Sequence, residues 1–101
     1  MLRIVARLHQ GLAWLLLAGL LLQVYFAGTG LFGAQSMTTH VSWGYMLAPM
    51  ALPLLLLGLL LGWRIAVLSA LFAVLIFVQG ILPHMRVDSP WIAALHPVNA
   101  L

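Results

Sequence analysis

Three long stretches of this chain carry no charged side chain: residues 11–32, 41–63 and 65–82. A bilayer core is about 30 Å thick, so a helix needs about 20 apolar residues to cross it. The first stretch, at 1.5 Å per residue, gives roughly 33 Å of helix. Its one strongly polar side chain is Gln23. The second contains Pro49 and Pro53, which predict a kink of the kind membrane helices tolerate when neighbours satisfy the freed carbonyls. The third is interrupted only by Ser69 and Gln79. Charged residues make up 5% of the chain and apolar residues 65%. A soluble domain has about 25% charged residues. The surface of such a domain cannot be assembled from this composition, and the high apolar content also excludes intrinsic disorder.

The remaining segments read as short connections and a fourth helix. Residues 29–39 contain Gly30, Gly33 and Ser36 and read as a loop. Gly62, Trp63 and Arg64 form a tight turn, and residues 83–89 are a short polar connection. Ser89 and Pro90 are a helix start, a cap followed by proline at the first helical position. The expected helices cover about 8–32, 37–62, 65–82 and 90–101, in a single transmembrane domain. Residues 90–101 make only about 18 Å of helix, too short to cross, so the fourth helix is expected to continue past Leu101. Short connections favour an all-α, antiparallel bundle of neighbouring helices. The apolar run after Arg3 and Arg7 is longer than the 7–15 residues of a signal sequence and is read as a retained helix.

The arginines set the orientation. With the N-terminus inside, Arg3, Arg7 and Arg64 face the cytoplasm and Arg86 faces out, as the positive-inside rule requires. The expected location is the bacterial inner membrane. The net charge of +3 and the pI near 10.8 would point to nucleic acid in a soluble protein. Four arginines divided between two membrane faces account for them, so nucleic acid is rejected as a partner.

Several chemistries are excluded. One acid in the chain removes carboxylate-pair catalysis and most metal-assisted hydrolysis. The absence of cysteine removes disulfides, thiolate zinc sites, iron–sulfur clusters and covalent c-type haem. No acid or nucleophile lies at membrane depth, so the chain is not expected to be an enzyme in its own right.

The informative residues are therefore the neutral polar ones. Gln23, His40, Gln79, His96 and Asn99 all fall in the outer half of their expected helices. His40 and His96 each follow an outer helix start, at depths about one turn apart. Two imidazoles on facing helices at matching depth suit the axial positions of an iron porphyrin. Small residues beside them, Gly44 next to His40 and Ala93 and Ala100 next to His96, leave room for a flat macrocycle. Gln23 and Gln79 are placed to bond a ring nitrogen or a propionate, which would fix the histidine tautomer. His40 and His96 are thus the candidate metal ligands, and haem b is the expected cofactor. Bacteriochlorophyll, which needs one axial imidazole, a quinone, or no cofactor are the alternatives. Against this stands the plainer reading: histidines near helix starts bond headgroups or water, and glutamines are ordinary interhelical glue. His9 and His84 read as interfacial. His84 has an alternative role as replacement for one of the pair, and His9 as a ligand on the inner side.

Three segments carry a family resemblance: LLQVYFAGTGLF, with Gln23, Ala27 and Gly28; THVSWGYML, with His40, Gly44 and Tyr45; and ALHPVNAL, with His96, Pro97 and Asn99. The chain resembles an uncharacterised family of small bacterial four-helix membrane proteins. That family implies a longer fourth helix and assigns no activity. More loosely, the chain is similar to b-type cytochrome bundles, which also place histidines at matching depths. The expectation is a small haem-binding electron-transfer or accessory subunit of a respiratory or photosynthetic complex, with the lipid bilayer and other membrane subunits as its partners. Its rival is a structural subunit without a cofactor. A transporter is disfavoured, because intramembrane charge usually marks such pathways.

Overall fold

A computed structural model describes residues 1–100, all of whose regular structure is helical. Helix α1 is Leu2–Leu31. It starts earlier than the uncharged stretch suggests, because Arg3 and Arg7 end the apolar run without ending the helix. Its C-terminus is a Schellman motif. Gly33, at φ +76°, donates to the Gly30 carbonyl, and Ala34 N–H reaches back to Thr29 at 2.8 Å. A left-handed residue is needed there, and glycine adopts that conformation without steric cost.

Helix α2, Met37–Leu47, is capped by the Ser36 hydroxyl, which accepts from Thr38 N–H. A 3-10 turn at Ala48–Met50 joins it to α3, Ala51–Leu61. Pro49 and Pro53 remove two amide donors here. The turn is the local adjustment: Ala51 N–H reaches the Ala48 and Pro49 carbonyls. Gly62, at φ +114°, is the single hinge residue before α4, Trp63–Ile81. A 3-10 segment, Leu82–Arg86, extends α4. The expected fourth helix is two short pieces, α5 at Pro90–Ala93 and α6 at His96–Asn99, separated by a turn. Pro97 has no amide hydrogen, so it cannot continue a helical hydrogen-bond ladder from α5. Leu101, the end of that expected helix, lies outside the described residues.

Three helical stretches, Leu2–Leu31, Met37–Leu61 and Trp63–Arg86, are long and apolar enough to cross a membrane. The molecule measures 47 × 28 × 17 Å, and its long dimension matches the roughly 45 Å of α1. Helix α1 packs on α2 and α3, and α3 packs on α4. The core is small: Leu16, Leu47 and Leu54, surrounded by Leu12, Ala13, Leu20, Trp43, Met50 and Phe72. Many large apolar side chains face outward instead, among them Trp14, Leu21, Leu52, Leu60, Leu68 and Phe77. An apolar exterior of this extent suits a lipid surround rather than water.

Helices α3 and α4 approach closely at Gly58, where a β-carbon would lie 2.5 Å from the Ser69 hydroxyl and 3.3 Å from the Ile65 carbonyl. Gly58→Ala should therefore separate α3 from α4. The expected cost is about 1–3 kcal/mol, as for other overpacked contacts. At Gly80 a β-carbon meets open space, so Gly80→Ala should leave stability unchanged or raise it by up to about 1 kcal/mol. Thermal unfolding of both variants in detergent checks the opposite signs.

Candidate functional site

The polar residues singled out in the sequence come together in one cluster. His40 stands on α2, one turn after the Ser36 cap, and faces Gln23 of α1. Its Nδ1–H donates to the main-chain carbonyl of Gln23 at 3.0 Å. The Gln23 amide Nε2 approaches His40 Nε2 at 3.5 Å. His96 opens α6 and faces Gln79 of α4. Its Nδ1–H donates to the Gln79 carbonyl at 3.0 Å, and Gln79 Nε2 donates to its Nε2 at 3.2 Å. Donation from Nδ1 leaves the lone pair on Nε2, so both rings hold the tautomer that ligates through Nε2.

The two rings lie next to one another. Their centroids are 6.2 Å apart and their planes almost perpendicular, at 87°. All four residues are half-buried. Gly44 is needed beside them, since a β-carbon there would lie 2.8 Å from Gln23 Nε2. Sequence reading placed Gly44 as space for a macrocycle; in the structure that space is taken by the Gln23 side chain.

The cluster is built twice on one plan. Each histidine lies 17 residues after its glutamine. Three residues after each histidine comes a side chain with an N–H donor, Trp43 in the first half and Asn99 in the second. Trp43 Nε1 donates to the Gly19 carbonyl at 2.8 Å, and Asn99 Nδ2 donates to the Leu75 carbonyl at 2.9 Å. Donor and acceptor are 24 residues apart in both cases. Sequence reasoning placed Asn99 in the polar set but missed Trp43 and the repeat. The signal was present as glutamine and histidine at one spacing in both halves.

The repeat breaks at one position. Asn99 has two amide hydrogens and spends the second on Gln79 Oε1, at 2.8 Å. Trp43 has one N–H, already given to Gly19. Gln23 Oε1 is consequently buried without a partner.

The other two histidines stay apart from this cluster. His84 is exposed in the 3-10 segment after α4. His9 is half-buried, and its Nε2 lies 3.0 Å from the hydroxyl of Ser69, which is only 3% exposed. The pair sits in an apolar groove of about 230 Å³ whose walls include Leu16, Leu54 and Phe72. Nothing in the spacing joins His9 to Ser69, because the two lie 60 residues apart. Among the described residues there is no group of three or more histidine, cysteine or acidic side chains able to hold a bare metal ion. Comparison with protein-family models, with curated proteins and with solved structures returns no match to this chain.

Proposed function

We propose that this chain is a small integral membrane protein that holds a b-type haem or a related tetrapyrrole through His40 and His96, as an electron-transfer or accessory subunit of a larger membrane bioenergetic complex. The observation that carries this reading is the paired imidazoles, 6.2 Å between centroids, each with Nδ1 tied to a main-chain carbonyl. The two rings would hold such a group through their Nε2 atoms. The donor set also fits, since neutral imidazole suits iron, and the main-chain bonds orient each ring before any ligand arrives. Gln23 Nε2, held only by a 3.5 Å contact to His40, would be free to donate to a carboxylate of such a ligand. A b-type haem held there would supply one-electron transfer. The chain's own part is to position, to hold the tautomers and to exclude water.

In this reading the three long helices cross the bacterial inner membrane as antiparallel neighbours, with the N-terminus in the cytoplasm. The apolar exterior faces lipid and partner subunits. A second reading draws on a different observation: each Nε2 already has a glutamine amide beside it. On that reading the cluster is interhelical glue, and the protein is a structural subunit without a cofactor.

An absorption spectrum of the purified protein separates the two. The haem reading expects a Soret band and sharp bands after dithionite, with the sharp bands lost in both His40→Ala and His96→Ala. Far-red absorption would assign a chlorophyll-type pigment. A colourless protein that assembles normally and takes up no added haemin would leave the structural reading standing. The orientation has its own test. A reporter fused after Arg64 should be active on the cytoplasmic side, and periplasmic activity would reverse the topology.

A further inference from the structure

The two halves of the site use the same bonds until Trp43 and Asn99, and that difference makes the histidines unequal. On the His96 side, the amide that covers Nε2 is held at both ends. Gln79 Nε2 donates to His96 at 3.2 Å, and Gln79 Oε1 accepts from Asn99 at 2.8 Å. Asn99 is itself anchored on the Leu75 carbonyl. To free His96 Nε2, the glutamine must leave two partners, in a network whose members strengthen one another. On the His40 side, the covering amide makes one contact of 3.5 Å, at the outer limit of a hydrogen bond. Its oxygen has no partner. Turning it aside costs little.

From this asymmetry we infer that His40 is the primary ligand and His96 the releasable one, restrained by a Gln79–Asn99 clamp. The inference rests on the tetrapyrrole reading above. It assigns positioning roles to residues that touch no metal. Asn99 acts through Gln79, and Trp43 sets the asymmetry by lacking a second donor. It also makes the His96 side the position open to exchange with a small exogenous ligand.

Haemin titration of the full-length protein in detergent tests this. His40→Ala should weaken haemin binding about tenfold more than His96→Ala, the order of one net hydrogen bond converted to affinity. His96→Ala should retain haemin in a high-spin, five-coordinate spectrum. Asn99→Ala should release the clamp, raising haemin affinity and the low-spin share of the spectrum. Gln79→Leu keeps the main-chain carbonyl that orients His96 but removes the competing amide, so it should act in the same direction. The matching change on the other side, Gln23→Leu, should move affinity much less. Circular dichroism of each variant confirms that helices are retained, and Gln79→Leu carries the test if Asn99→Ala unfolds. Equal losses from the two alanine variants, or no spectral change when the clamp is removed, would overturn the inference while leaving the haem reading intact. No haemin uptake by the unmodified protein would overturn both.

Discussion

The structure depends on main-chain carbonyls that accept from side chains. A helical carbonyl has two lone pairs and uses one in the helix ladder. In this protein the carbonyls of Gly19, Gln23 and Leu75 each take a second bond from a side chain on a neighbouring element, and that of Gln79, four residues before Pro83 and so without a ladder donor, takes its bond from His96. Apolar packing cannot do this work. The contacts among Leu16, Leu47 and Leu54 are non-directional, and a helix could slide or rotate on them at small cost. An imidazole, indole or carboxamide away from water must find its partner or lose a few kcal/mol. Those bonds therefore fix the depth and rotation of α2 against α1 and of α6 against α4. The histidine pair is a consequence of this locking.

Much of the architecture was legible because charge is so scarce. Where five charged residues are spread over 101 positions, the uncharged runs identify the long helices almost directly. The ends were less legible. Arg3 and Arg7 lie inside α1, because arginine is a good helix former and bounds only the apolar stretch. The last segment breaks into α5 and α6, because Pro97 overrides the helical pattern around it. The 3-10 turn at Ala48–Met50 fell where two prolines already predicted a kink.

The site divides in the same way. Gln23, His40, Gln79, His96 and Asn99 were recognisable as neutral polar residues at one depth, and the structure brings them together. Their bonds were not recognisable. Half of the contacts that orient the histidines end on carbonyl oxygens, which every residue carries and no sequence letter marks. Trp43 was not singled out at all, although its indole N–H holds the same place in the first half that Asn99 holds in the second. His9 and Ser69 lie 60 residues apart on different helices. The packing of both α1 and α4 on α3 brings them together.

The layout of these polar groups also bears on what the chain does. The His40–His96 cluster and the His9–Ser69 pair belong to different stretches of α1. Gln23 and His9 are separated along that helix by roughly 21 Å. Between them lie Leu12, Ala13, Leu16, Gly19 and Leu20, closed off by Leu47, Leu54 and Phe72. Leu16 is only 2% exposed. A path for ions or protons across the bundle would need polar groups or water through this layer, and these residues offer no polar side chain. Charged residues, which usually mark such paths, are confined to the first two turns of α1, the first turn of α4 at Arg64, and the segment of Arg86 and Asp88. The apolar middle favours chemistry that stays at one end of the bundle. The bound group proposed above would need no channel through the protein. It would need two oriented ligands and an exposed flank, and the half-buried histidines, each tied to a main-chain carbonyl, are consistent with that need.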